Sequence, residues 1–281
     1  MAEPPRLRRL AVIGSPIEHS LSPALHAAAY ARLGLDWRYG RAEVHADGLA
    51  AYLDGLDTSW RGLSVTMPLK EALIPLVDEL DEDAQLTGAA NTVLFTDDGR
   101  RFGDNTDIAG ARTALERTGV TAVRRAAVIG AGATARSIVV ALARLGAREI
   151  DVLVRDETRA GALLDLAERL GVDAAPRPLG DLERLVPAHE VIAWTLPNGV
   201  APEGLVPEAV RRASTLLDVT YHPWPSPLAQ QWRAVDGVVV SGRDMLLHQA
   251  VRQVRLFVGG RDAGLLPDEA GVESAMAAAL Q

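Results

Sequence analysis

The stretch "RRAAVIGAGATARSIVVALARLGAREIDVLVRD", residues 124–156, decides the fold. It reads as an apolar strand, a glycine turn at Gly130 and Gly132, an amphipathic helix and a second strand, all within 33 residues. A strand–helix–strand unit of this length pairs its strands in parallel. The glycine turn lets the backbone approach a pyrophosphate, and the helix amino terminus behind it offers unsatisfied N–H groups and a partial positive charge. No third glycine completes the strict G-x-G-x-x-G fingerprint, so the strand, turn and helix around it carry the reading.

The end of the second strand bears on which dinucleotide fits. NAD sites place Asp or Glu there for the ribose 2′-hydroxyl, whereas this chain has "LVRDETR", with Arg155 at the strand tip and Arg159 one turn on. Two guanidiniums suit a 2′-phosphate through bidentate, charge-assisted hydrogen bonds. NADP is therefore the expected cofactor; Asp156, as a ribose-binding carboxylate, keeps NAD open.

Working outward, the first half alternates short strands with helical patterns: "RLAVIG", "SPALHAAAYARLG", "WRYGRAEV", "DGLAAYLDGL" and "RGLSVTM", then a helix over 69–80. That alternation predicts βαβ units around a mostly parallel sheet. A further helix, "IAGARTALERTG", crosses into the dinucleotide unit, whose later strands are "EVIAWTL", "STLLDVT" and "GVVVSG". The last segment, "DMLLHQAVRQVRLFVGG" and the alanine-rich tail, reads as helices without strand partners that return to the first domain. The expected fold class is α/β with two domains: a substrate-binding α/β domain over 1–107, a Rossmann-like dinucleotide-binding domain over 108–236, and returning helices over 237–281.

The 281 residues carry 48% hydrophobic and 23% charged side chains and a net charge of −8, which argues against a general nucleic-acid surface. With no cysteine, disulfides and thiolate catalysis are excluded, and six histidines without H-x-x-x-H spacing predict no metal site. No run approaches the about 18 apolar residues of a membrane span, and the expected location is the cytoplasm. One count stands out. Of 29 basic residues, Lys70 is the only lysine. A lone lysine on a solvated first turn is one explanation; the other is proton transfer, which a guanidinium does not sustain because it stays protonated.

Three clusters in the first half hold candidate chemistry. In "GSPIEHSLSP", Ser22 before Pro23 reads as a helix N-cap, and Ser20 brings a second hydroxyl towards a small anion. "SVTMPLKEAL" places Thr66 at a strand end and Lys70 in the turn after Pro68. "GAANTV" and "GDNTD" supply Asn91, Asn105 and Asp107, amides and a carboxylate suited to a polyol, with Lys70 and Asp107 as a proton-transfer pair. Each also has a structural use, as cap, turn or packing residue.

The ordered set "GSPIEHSLSP", "SVTMPLKE", "TGAANTV", "GDNTD", "VIGAGATAR", "DVTYHPWPSPL" and "MLLHQA" resembles the shikimate dehydrogenase family over nearly the whole chain. The resemblance implies NADP-dependent reduction of 3-dehydroshikimate to shikimate, a small-molecule partner, and room for a homodimer. It assigns Ser20, Ser22 and Tyr221 to the substrate carboxylate and Thr66, Asn91, Asp107 and Gln249 to ring hydroxyls, with Lys70 as acid/base beside Asp107. At the cofactor it implies Gly130, Ala131, Gly132, Ala133 and Thr134 on the pyrophosphate, Arg155 and Arg159 on the 2′-phosphate, Thr195, Val219 and Gly242 near ribose or nicotinamide, and Glu82 as a weaker contact. Three departures stand out: Val154 and Asp156 flank Arg155 where the family has Asn-Arg-Thr, Ile108 replaces a glycine after "DNTD", and Arg243 and Asp244 stand where smaller residues are usual. An NAD-dependent quinate/shikimate dehydrogenase and a non-catalytic dinucleotide sensor are the alternatives.

Overall fold

Strand β1 (Arg9–Gly14) exposes only its first residue, as a strand covered on both faces must. In this computed structural model, which describes residues 7–197, 200 and 205–280, β1 lies between β2 (Arg38–Glu43) and β3 (Trp60–Val65), parallel to both. Helix α1 (Ser22–Leu33) makes the first crossover, and α2 (Leu49–Asp54) precedes β3. Beyond β3 the expected parallel run stops. Strand β5 (Thr92–Phe95) pairs antiparallel with β3 and with β6 (Arg101–Asp104), and short β4 (Glu79–Leu80) closes the edge, giving the order β2-β1-β3-β5-β6-β4. The reason is local: a tight turn, with Thr96 N–H donating to the Arg100 carbonyl and Gly99 at φ 83°, joins β5 to β6, and so short a link permits only an antiparallel pair.

The helix expected over 69–80 does not form. The segment runs as turns with one 3₁₀ turn, Ile74–Leu76, because Pro75 sits in its middle and can neither donate a hydrogen bond nor clear the preceding carbonyl. Helix α3 (Glu82–Thr87) follows, capped by Asp81, which accepts from the Ala84 and Asp83 N–H groups.

The second sheet is wholly parallel. Helix α4 (Asp107–Arg117) leads to β7 (Arg125–Ile129), α5 (Ala133–Arg144), β8 (Glu149–Val154), α6 (Gly161–Arg169), β9 (Asp173–Pro178), β10 (Val191–Trp194), α7 (Glu208–Ala213), β11 (Thr215–Asp218), α8 (Pro227–Arg233) and β12 (Val239–Ser241). Their order is β12-β11-β10-β7-β8-β9. The chain builds outward from β7 to β9 and restarts on the other side of β7 with β10, so the crevice beyond the carboxyl ends of β7 and β10 is the topological switch point where ligands bind. Edge strand β9 has no sequence signature; its Pro176 and Pro178 are tolerated because an edge residue needs no ladder donor.

The described residues cluster into two units, one reaching Thr106 and resuming at Leu246, the other spanning Asp107–Met245. Residues 237–245, expected among the returning helices, pack with the second unit because β12 pairs with β11. Helices α9 (Gly242–Gly259) and α10 (Glu269–Ala278) give the first unit Ala250, Val254, Phe257, Val272 and Met276, buried with Leu10, Leu25, Tyr30 and Leu94. Among the described residues no helix is long and apolar enough to cross a membrane.

Candidate active site

In the first unit the carboxyl ends of β1, β3 and β6 carry the candidate substrate groups. Leu21, not Ser22, is the cap residue of α1 and makes no side-chain capping bond, and the Ser22 N–H donates to Ser20 Oγ at 3.3 Å. The helix begins one residue earlier than the S-P signature predicts, so the nearly buried Ser22 hydroxyl is not spent on the helix end.

Past β3, the Thr66 N–H donates to the Ile13 carbonyl at 2.9 Å and fixes the strand end, and the Thr66 carbonyl accepts from Leu69 N–H. Leu69 is fully buried and the adjacent Lys70 half-buried, so an apolar anchor holds the lysine stem. The Lys70 carbonyl accepts from Ala90 N–H at 2.9 Å, and the Asn91 carbonyl accepts from Val65 N–H at 2.7 Å. Backbone bonds thereby bring Thr66, Lys70 and Asn91 to one strand end although 25 residues separate the first from the last.

Asn91 is buried and engaged on all sides. Its Oδ1 accepts from Thr106 N–H at 2.9 Å and from Thr92 Oγ1 at 2.8 Å, while its Nδ2 reaches Thr106 Oγ1 at 2.9 Å and Gln249 Oε1 at 3.2 Å. Behind it Gln253 donates to the Asn91 carbonyl and to Thr92 Oγ1 and accepts from Ser64 Oγ at 2.7 Å; Ser64 in turn accepts from Tyr39. His26, stacked on Tyr39 at 4.0 Å, completes the cluster, and burial drives its pKa down to about 3, so it stays neutral. Thr106, Ser64 and Gln253 escape sequence reasoning because their partners lie up to 189 residues away.

Asp104, at the end of β6, is also buried; desolvation first, and the neighbouring Asp81 second, raise its carboxyl to about 7, with Arg252 at 3.5 Å opposing them. Asp107 is nearly buried and opens α4, the first residue of the second unit, while Glu82 is exposed in the first turn of α3.

In the second unit the glycine turn has two differently constrained members. Gly130 sits at φ 109°, and a Cβ there would lie 2.4 Å from Thr195 Oγ1, which donates to the Ile129 carbonyl at 2.7 Å. Gly132 caps α5 with φ −78° and ψ −173°, and a Cβ there would meet nothing within 4 Å. Open space beside the first turn of a 12-residue helix is the cradle a phosphate needs, with Ala131, Ala133 and Thr134 around it. Arg155 and Arg159 are exposed just beyond β8, the position for a 2′-phosphate. Asp156 is committed elsewhere: its Oδ1 accepts from Thr158 N–H at 3.0 Å and Thr158 Oγ1 at 2.7 Å, bonds that lower its pKa. The residues present thus fit a 2′-phosphorylated dinucleotide.

On the other side of the switch point, Val219 N–H donates to the Trp194 carbonyl at 3.1 Å, and Gly242 approaches so closely that a Cβ would lie 2.3 Å from the Val219 carbonyl oxygen. Asp218 fixes the loop that follows, accepting from Thr220 N–H at 3.0 Å and from the Ser226 hydroxyl, and half-buried Tyr221 lies between. The Asp244 carboxylate accepts from Ser241 N–H at 2.9 Å and Ser241 Oγ at 2.7 Å, a capping box at the start of α9 that accounts for Asp244. Ile108 is fully buried, so the residue replacing the family glycine packs in the core.

Sequence comparison matches residues 12–93 to the family model for the shikimate dehydrogenase substrate-binding domain and residues 112–219 to that for shikimate/quinate 5-dehydrogenase. The chain is 35% identical over 273 residues to a shikimate dehydrogenase (NADP(+)) of Thermus thermophilus, covering 97% of this chain and 98% of that one. Among solved structures, Mycobacterium tuberculosis shikimate dehydrogenase superposes with a TM-score of 0.83 at 39% identity, over 96% of this chain and 99% of that one. The Thermus thermophilus shikimate 5-dehydrogenase in complex with NADP(H) and shikimate gives 0.81 at 33% identity, over 97% and 100%.

Proposed function

The chain belongs to the shikimate dehydrogenase family, and on that premise we propose that it catalyses the reversible NADP(H)-dependent interconversion of 3-dehydroshikimate and shikimate. The observation that carries the reading is the open space at Gly132 beside the α5 terminus, together with Arg155 and Arg159 where a ribose phosphate is read. Two guanidiniums and an Asp156 already committed to Thr158 favour NADP over NAD.

The bound dinucleotide supplies a hydride for the C3 carbonyl. This chain's own residues do the rest. Ser20 and Ser22, with Tyr221, donate hydrogen bonds to the carboxylate. Thr66, Asn91 and Gln249 orient the ring, and Glu82 lies at the margin. Lys70 protonates the alkoxide that develops at C3, and Asp107 keeps the lysine oriented and balances its charge. Thr195, Val219 and Gly242 shape the nicotinamide side of the second unit, with Gly130, Ala131, Ala133 and Thr134 around the phosphates.

We place the reaction in the cytoplasm, as a homodimer or a monomer. Kinetics decide the assignment: kcat/KM for shikimate and for quinate, each with NADP⁺ and NAD⁺, followed by the absorbance of the reduced nicotinamide. The reading requires shikimate with NADP⁺ to be the best pair; no turnover of shikimate with either cofactor would overturn it.

A further inference from the structure

Strand β2 lies at the edge of the first sheet and exposes Arg41 and Glu43. Charges on an edge strand ordinarily guard it against stray strand pairing. These two also reach the loop that follows β1. Tyr39, Arg41 and Glu43 alternate onto one face of β2. Tyr39 stacks on His26 of α1 at 4.0 Å, the Arg41 Nη1 donates to the Glu18 carbonyl, and Glu43 Oε1 accepts from Ser15 Oγ at 2.8 Å. The parallel register sets Glu43 beside Gly14, the residue before that loop.

The loop carries Ser20 and leads into Ser22. Its backbone is held at Ser15, whose N–H donates to the Met67 carbonyl at 3.0 Å, and at Ser20, whose N–H closes a turn on the Ile17 carbonyl at 3.1 Å. Ser22 N–H then donates to Ser20 Oγ at 3.3 Å. Glu18 stands inside that turn, so the Arg41 bond fixes the turn, while the Glu43 bond fixes the end from which it springs. Both bonds are charge-assisted, the stronger kind.

We propose that Arg41 and Glu43 are positioning residues that clamp this loop and thereby set the Ser20 and Ser22 hydroxyls for the substrate carboxylate. They act through those hydroxyls rather than on the substrate. A carboxylate held by two hydroxyls needs both in place at once, and a loop that must be ordered at the moment of binding costs affinity. The effect therefore falls on substrate binding and not on hydride or proton transfer; this rests on the shikimate reading above.

The test is a mutant cycle read in steady-state kinetics. Arg41→Met, which removes the guanidinium and keeps an apolar stem, is expected to raise KM for shikimate about tenfold, with kcat and KM for NADP⁺ within about twofold of wild type. Glu43→Ala should raise KM for shikimate about threefold, and Glu43→Gln, which keeps an oxygen for Ser15, should return it to within about 1.5-fold. In a Ser20→Ala, Ser22→Ala background, Arg41→Met should add less than about twofold, because the groups it positions are gone. An unchanged KM in Arg41→Met, a Glu43→Gln protein no better than Glu43→Ala, or an undiminished Arg41→Met penalty without the serines overturns the proposal. The last result would mean that the Arg41 charge acts on the anion directly. If Arg41→Met does not fold, Arg41→Leu carries the same comparison. Wild-type inactivity on shikimate would instead refute the function itself, so the two failures are distinct.

Discussion

Replacing Gly132 by alanine separates what the fold needs from what the ligand needs. The residue has φ −78° and ψ −173°, extended backbone open to any side chain, and an added Cβ meets no atom within 4 Å. Alanine caps a helix slightly worse than glycine but also reduces the entropy of the unfolded chain, so stability should change by less than about 1 kcal/mol. A bound pyrophosphate has no such freedom, because the methyl group occupies the space in which it approaches the α5 terminus. Losing one charge-assisted hydrogen bond from a helix N–H costs about 2 kcal/mol, or about 30-fold in dissociation constant. Isothermal titration calorimetry of NADP⁺ binding, beside thermal unfolding without ligand, reads both quantities. Gly130→Ala is the contrast: at φ 109°, with its Cβ 2.4 Å from Thr195 Oγ1, it should lose about 1–3 kcal/mol of stability as well as affinity. A Gly132→Ala protein that binds NADP⁺ within twofold of wild type would refute the assignment of that space to the phosphates.

Lys70→Ala should depress kcat by about 10² to 10⁴ and leave KM nearly unchanged, and Lys70→Arg should do the same because a guanidinium does not release the proton; substantial rescue by arginine would mean that a cation alone suffices. The double change Arg155→Ala with Arg159→Ala should raise KM for NADP⁺ at least about tenfold while sparing NAD⁺, and an unaltered ratio of the two would assign the 2′-phosphate elsewhere. Asp104 predicts a pH dependence of stability. Its carboxyl titrates at about 7 in the fold and near 4 unfolded, so between those values the native state holds a proton that the unfolded state has lost. Stability should then fall as pH rises through that window, by at most about 1.4 kcal/mol per pH unit, and level off above it. Asp104→Asn should flatten that slope in denaturant titrations at pH 5, 6 and 8, and a slope that survives the substitution would show that Asp104 is not its source.

Legibility differed from element to element. The βαβ unit at 124–156 is visible because its strand, turn and helix periodicities are local, and Arg155, Arg159 and both glycines lie where that local pattern puts them. The helix expected over 69–80 failed where Pro75 outweighed the apolar spacing, and the N-cap reading of Ser22 failed by one residue because Ser20 Oγ took the Ser22 N–H. In the first sheet β5 runs antiparallel to β3 and β6, while β4 pairs parallel with β6, because the short turn between β5 and β6 reverses the chain, which alternating hydrophobicity does not report.

What the sequence by itself determined is chemistry that follows from residue type and short spacing: a dinucleotide turn, a pair of arginines, a lone lysine after a proline, and hydroxyls and amides in a recognisable order. What only the tertiary structure decided is which of these groups have their hydrogen-bonding direction fixed. Asn91 and Thr106 lie 15 residues apart, and Gln249 meets them across 158 and 143 residues. The Leu246 carbonyl one turn earlier in α9 orients Gln249, whereas Asn91 meets the Thr106 N–H that orients it only when β5 pairs with β6, and a donor or acceptor becomes obligatory only once burial removes the water that would otherwise satisfy it.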